Sequence, residues 1–402
     1  MKKQIRITIC GLINSLNLGE RFISDSLEYI ITDEYKKKYG NADELVIRQF
    51  NIQADKPEGD LIDSVYDFFW KAARHLKLQA ARNLCYYLRH LFWMSFRRYR
   101  RKYYALFKNA FSDTDVIVID GAGLLEYSYN EYQEILLLIS EIAEELDLPV
   151  IYNAVGTVGE FHTDDYRCRL LMKAMRSSSI RYVSARDNAD IVQEYVGDRI
   201  QVSQCADAAV LVSETYGIEK NPSACIGVGL IRGGALWSYR IDFDRENWIG
   251  LFVSIGEELM KRDYCFRFFS NGLPSDYSIG EEAIRRLSLP SEYLIERPED
   301  PHVLAKTIAS FSAMITCRMH SVIAGFSMGI PSVALSWNSK LDRFMELISC
   351  PERAISYEDF DAVYIVDQME KAMAEGYDED IMFQTKQLAR ESVRGYLDLI
   401  HD

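Results

Sequence analysis

Several things are missing from this chain, and each absence narrows the reading. No run of roughly 18 or more apolar residues occurs, so nothing in it reads as a membrane span. The N-terminal apolar stretch is broken by Arg6 and has no small-x-small cleavage pattern, so it is read as a strand rather than a signal peptide. Cysteines stand at 10, 85, 168, 205, 225, 265, 317 and 350, but none forms a CxxC pair and several lie in apolar runs. Neither a zinc site nor a disulfide framework is therefore expected, and a reducing, cytoplasmic setting fits. No excess of positive charge is present: the formal net charge of −14 argues against a general nucleic-acid binder. A fixed short repeat, low-complexity tracts and a GxGxxG dinucleotide fingerprint are absent as well.

What is present is a globular composition, 48% hydrophobic and 26% charged. With 402 residues the chain exceeds the size at which one core stops growing, so two domains are expected. Strand-like and helix-like segments alternate. Strands are predicted at 5–13, 44–50, 116–119, 149–152 and 181–184, and helices at 20–38 and 129–146. A second series starts with strands at 225–230, 265–270, 313–316 and 332–336 and helices at 248–261, 278–287 and 320–328. Such alternation predicts parallel β-α-β units with right-handed crossovers, hence an α/β fold of two Rossmann-like, doubly wound domains facing a cleft. The expected boundaries are 1–215, with a helical insertion at about 58–110, then 216–375, then a C-terminal helical segment at 376–402. The insertion is rich in aromatics and ends in Arg97, Arg98, Arg100, Arg101 and Lys102. Either its aromatics pack on the domain, or residues 86–104 make peripheral contact with an anionic membrane.

Ligands of open α/β sheets bind beyond the carboxyl ends of the strands, and the chemistry-bearing residues fall at such ends. Arg318-Met319-His320 joins an apolar strand to an apolar helix that closes with Gly329 and Pro331. A helix N-terminus favours an anion, an arginine fork suits carboxylate or phosphate, and a histidine exchanges a proton near neutral pH. For an arbitrary Arg-x-His the residues would be a surface charge and a cap; this context favours an anion site. Arg186-Asp187-Asn188 follows another strand, where an anion clamp and an ordinary helix cap are equally open. Asn17-Leu18-Gly19-Glu20 offers a close backbone approach at Gly19 and hydrogen-bonding side chains for sugar hydroxyls, or a plain helix start. Asp120-Gly121-Ala122-Gly123 and Glu160 follow two further strands, and Lys340 lies just past the strand after the Arg-x-His helix.

Taken together and in this order, these segments resemble the polysaccharide pyruvyl transferase family. That family carries an N-x-G-D/E loop after strand one, a glycine-rich strand end, an Arg-Asp after a mid-chain strand and Arg-x-His before an apolar helix. Here Glu20 stands where the family often has Asp, and Ala122 interrupts a glycine run. The resemblance implies a fold like that of GT-B glycosyltransferases, phosphoenolpyruvate as donor, a pyruvate ketal on a sugar as product, and neither nucleotide cofactor nor metal. It implies donor binding by Arg186, Arg318, His320 and Lys340, with His320 catalytic. Acceptor binding falls to Asn17, Gly19, Glu20, Asp120, Gly121 and Glu160, and Asp187 or Asp207 is expected as base. The acceptor would be a sugar of a cell-surface polysaccharide or its lipid-linked precursor. A nucleotide-sugar glycosyltransferase of the same fold and a non-catalytic membrane-associated assembly subunit are the competing readings.

Overall fold

Short apolar runs that stop at Gly, Asp or Ser become parallel strands, and the amphipathic stretches between them become helices. The computed structural model describes residues 4–53, 84, 88, 97–126, 132–157, 161–232 and 243–401. The first sheet contains β1 (Ile5–Gly11), β2 (Leu45–Asn51), β3 (Val116–Ile119), β4 (Val150–Val155), β5 (Ile180–Ala185) and β6 (Ser203–Gln204), in the order β2-β1-β3-β4-β5-β6. The second contains β7 (Cys225–Gly229), β8 (Cys265–Phe269), β9 (Ala313–Thr316), β10 (Ser332–Ser336) and β11 (Ala354–Ser356), in the order β11-β10-β9-β7-β8. Among the described residues every paired ladder is parallel. In each sheet the first strand lies between the second and the third, so strand order reverses beside it. That is the switch point where doubly wound sheets bind ligands.

Among the described residues, the α-helices of eight or more residues are α1 (Gly19–Tyr39), α2 (Arg97–Phe111), α3 (Gln133–Leu146), α4 (Tyr166–Met175) and α5 (Ala189–Val196). They continue as α6 (Arg245–Lys261), α7 (Pro274–Arg286), α8 (Pro301–Ala309), α9 (Met319–Ser327), α10 (Ser339–Leu347), α11 (Ala362–Glu375) and α12 (Glu379–Arg394). Among the described residues, no helix is long and apolar enough to cross a membrane.

Two compact units divide the chain. One takes residues 1–13, 41–204 and 396–402; the other takes 14–40 and 205–395. Helix α1 thus belongs to the second unit, although β1, which precedes it, belongs to the first. Its apolar face is fully buried at Phe22, Ile23, Leu27, Ile30 and Ile31 and packs on the turn at 208–211, α9 and α12. The core of the second unit gathers Ile226, Val228, Phe252, Phe268, Ile315 and Val333 from sheet and helices. In the first unit, Phe107 and Phe111 of α2 meet Phe50 of β2 edge to face, so the described end of the aromatic segment packs on its own unit. The rest of the insertion expected at 58–110 lies outside the described residues apart from 84, 88 and 97–110.

One expectation is corrected. β7 and β8 open on Cys225 and Cys265, which stand directly opposite each other in the ladder. Their sulfurs are joined, S–S 1.96 Å, with Cα atoms 4.6 Å apart. Two cysteines opposed on neighbouring strands are within bridging reach, but 40 residues of intervening sequence hide that pairing from a search for CxxC.

Candidate active site

In the second unit the Arg-x-His segment sits at the carboxyl end of β9, beside the switch point. Thr316 ends the strand, Arg318 is the N-cap residue of α9, and Met319 and His320 are its first two residues. Arg318 makes no side-chain cap bond and is not a surface charge. Its guanidinium bonds through Nε (2.9 Å) and Nη2 to Oδ2 of Asp276, a fully buried residue in the first turn of α7. The other carboxylate oxygen of Asp276 accepts the Arg232 N–H at 2.9 Å. Removing one partner of such a buried pair costs about 3–5 kcal/mol.

His320 is 6% exposed. Two carboxylates flank it: Glu20 Oε1 lies 3.9 Å from Nδ1, and Asp207 Oδ2 lies 3.8 Å from Nε2. Both are beyond direct hydrogen-bond reach and within ion-pairing reach of a charged imidazole. Asp207 is itself buried, and its Oδ1 accepts the Ala209 N–H at 2.9 Å. That leaves Oδ2 toward the ring. Glu20 Oε1 accepts Asn17 Nδ2 at 3.3 Å, so the Asn17–Glu20 loop is one hydrogen-bonded turn against the histidine. Gly19 makes the approach feasible: a Cβ there would stand 2.5 Å from the His320 Cβ, closer than atoms pack. Lys340 lies in the first turn of α10, after β10, the sheet neighbour of β9. Its N–H bonds to the capping Asn338 side chain at 3.0 Å.

In the first unit the loops after β3, β4 and β5 are tied together. Asp120 is fully buried and accepts the Ala122 N–H at 3.2 Å. Gly121 packs on the carbonyl of Ala154, and Ala154 itself holds φ +54°, a left-handed conformation rare for residues with a side chain. The Ala154 N–H bonds to Ser184 Oγ at 2.8 Å. Asp187 Oδ1 accepts two main-chain N–H groups, of Thr157 at 3.0 Å and Asn188 at 2.7 Å. Neither Asp187 nor Asn188 acts as the predicted side-chain cap of α5; Asp187 joins the β4 loop to the β5 loop instead. Arg186 lies over Gly156, where a Cβ would stand 2.9 Å from its Nε. Glu160 lies outside the described residues.

The structure brings Asn17, Gly19, Glu20, Asp207 and His320 together in the second unit, with Arg318 adjoining. It brings Asp120, Gly121, Arg186 and Asp187 onto neighbouring strand ends of the first. Sequence reasoning missed Asp276, which stands 42 residues from the arginine it holds. A lone acid near a helix start carries no local signal of that pairing.

A family model described as polysaccharide pyruvyl transferase matches residues 25–339, more than three quarters of the chain. The chain belongs to that family. The matched span contains Asp120, Gly121, Arg186, Asp187, Asp207, Arg318 and His320. It begins after the Asn17–Glu20 loop and ends one residue before Lys340. No curated protein matches this pyruvyl transferase family member. Among solved structures it is similar to the UDP-GlcNAc 2-epimerase from Methanocaldococcus jannaschii, with a TM-score of 0.55 at 11% identity over 99% of this chain and 100% of that one. A UDP-bound MnaA from S. aureus gives a TM-score of 0.50 at 9% identity, covering 100% and 98%. At such identities the likeness is one of fold, and it agrees with two parallel α/β sheets of GT-B type.

Proposed function

We propose that this family member transfers the pyruvyl group of phosphoenolpyruvate to two hydroxyls of a sugar in a cell-surface polysaccharide or its lipid-linked precursor. The product is a pyruvate ketal, and phosphate is released. The observation that carries the reading is the His320 cluster: a buried imidazole between two carboxylates, two residues from a held guanidinium, at a helix N-terminus beside the switch point of a sheet.

The chemistry asks for these groups. Protonation of the C3 methylene turns C2 of the enol into an oxocarbenium-like centre. One sugar hydroxyl adds to C2 and loses its proton. The C2–O bond to phosphate then breaks, and the second hydroxyl adds and loses its proton in turn. Of the two protons released, one balances that taken up by C3 and the other leaves with phosphate. His320 is assigned the proton delivered to C3. Asp207 orients the imidazole from the buried side. Glu20 is 18% exposed in its side chain and is assigned to accept the hydroxyl protons. Arg318, with Lys340, stabilises negative charge on the donor, and Arg186 is assigned to the donor's other anionic group. Asn17, Gly19, Glu20, Asp120, Gly121 and Glu160 remain assigned to the acceptor. Asp187, whose Oδ1 accepts two main-chain N–H groups, and Asp207 stay as alternative bases.

A thermal-shift comparison of phosphoenolpyruvate with UDP- and GDP-sugars tests the reading. A ligand at 100 times its Kd adds about 2.7 kcal/mol to stability. Stabilisation by phosphoenolpyruvate, with phosphate release that requires a saccharide acceptor, is the expected result. Stabilisation by a nucleotide sugar alone would replace this reading with glycosyl transfer. Vesicle binding without phosphate release from any donor and acceptor pair would leave an assembly role.

A further inference from the structure

β8 runs out into Ser270-Asn271-Gly272, residues to which the scheme above gives no part. Asn271 is 1% exposed. Its main-chain carbonyl accepts the Leu18 N–H at 2.8 Å, which places it against the loop whose next residue, Gly19, touches His320. Its side-chain Oδ1 accepts the hydroxyl of Ser321 at 2.6 Å. Ser321 is fully buried and follows His320 in α9. These two bonds fix the carboxamide between the Asn17–Glu20 loop and the start of α9. With Oδ1 committed to Ser321, the Nδ2 group faces away from it, and among the described residues no atom accepts from it.

Two further polar atoms, one on the preceding residue and one in the loop that Asn271 holds, are in the same state. Ser270 Oγ, on a residue 1% exposed, and Asn17 Oδ1 are both buried without a hydrogen-bond partner among the described residues. Each such atom carries an uncompensated desolvation cost, and native proteins keep few of them. Of the three, the Asn271 amide is the one that can only donate, and it is tied through Leu18 and Ser321 to the neighbours of Gly19 and His320; such a donor is a group awaiting a ligand's acceptor. A carboxamide donor adds what an arginine cannot: a neutral, short, directionally fixed N–H that distinguishes an oxygen anion from a water without adding charge.

We infer that Asn271 is a specificity-determining residue of this site, its Nδ2 donating to an anionic oxygen, carboxylate or phosphate, of the substrate held at His320, with Ser321 locking the amide's orientation. The inference rests on the phosphoenolpyruvate reading for the identity of the whole substrate, but not for the anionic oxygen itself. Asn271→Asp tests it, because it keeps the acceptor for Ser321 and replaces the donor with a like charge. KM for phosphoenolpyruvate is expected to rise at least about 10-fold, as loss of a hydrogen bond to a charged group implies, with kcat much less affected. Stabilisation by phosphoenolpyruvate should vanish in thermal melts. Melts with inorganic phosphate and with pyruvate, run on both proteins, identify which anionic end Asn271 reads: the one whose stabilisation the substitution abolishes.

An Asn271→Asp protein that is stabilised by all three ligands as the parent is, with unchanged KM, overturns the inference. If the parent is not stabilised by phosphoenolpyruvate, the pyruvyl-transfer reading falls. The inference about Asn271 is then decided by phosphate and pyruvate: it fails if the substitution leaves both responses unaltered or if neither stabilises the parent. Should Asn271→Asp fail to melt cooperatively, Ser321→Ala takes its place, since it frees the amide to rotate while leaving its donor present. A rise in KM of about 3- to 10-fold that Ser321→Thr reverses supports the lock; an unchanged KM in Ser321→Ala overturns it.

Discussion

At the scale of single residues, the site is built by close approach more than by charge. Gly19 has no Cβ because the His320 Cβ occupies that space, 2.5 Å from where one would lie. Gly19→Ala is therefore expected to cost about 1–3 kcal/mol by overpacking, visible in a denaturant melt, and to lower turnover by displacing the ring. His320→Ala should reduce kcat by ~10²–10⁴-fold; near-normal turnover in that variant removes the histidine from the chemistry. Asp276→Ala strands a guanidinium that is 13% exposed in its side chain, and a loss of roughly 3–5 kcal/mol in chemical denaturation is expected. The Arg-x-His pair was legible in the sequence because an apolar strand and an apolar helix enclose it within a few residues. Asp276, Asn271 and Ser321 were not, since their partners lie 42 or 50 residues away, and hydrogen bonds of that span leave no periodic trace.

At the scale of elements, strands buried on both faces read clearly. Val116–Ile119, Ala313–Thr316 and Ser332–Ser336 have the bounds that their apolar runs predict, and α1 stops at Gly40 with φ +84° as a left-handed end. The short edge strands β6 and β11 escaped notice, because two or three residues carry no alternation to recognise. Helix pairing escaped as well. Near the end of α1, Glu34 is buried, and burial pushes its carboxyl upward. Hydrogen bonds from Arg394, Lys37 and Arg390 more than offset this and hold the pKa down to about 2. The arginines come from α12, with Arg390 Nη1 at 2.7 Å and Arg394 Nε at 2.6 Å. A carboxyl lowered by folding stabilises above its unfolded pKa, and that contribution is lost as pH falls through the folded value. The melting temperature should accordingly decline between about pH 5 and pH 2, and Glu34→Gln should be less stable at neutral pH with a shallower decline.

At the scale of the whole molecule, two sheets of doubly wound order were legible from the alternation of segments. The membership of α1 was not, because nothing in its amphipathic pattern says which sheet it covers. Residues 205–395 expressed without it would expose the surface that Phe22, Leu27 and Ile31 bury. Near-UV circular dichroism should show no fixed aromatic environment for that fragment, and supplying residues 14–40 as a peptide should restore it; a native-like spectrum without the peptide would contradict the packing. During synthesis the same interleaving sets a waiting time. Helix α1 emerges with its oily side bare, and the turn at 208–211 that receives it follows roughly 170 residues later, about 10–30 s at ordinary ribosomal speed. For that interval the apolar face of α1 stays without its partners, and a translational pause shortly before residue 205 would lengthen the exposure rather than relieve it.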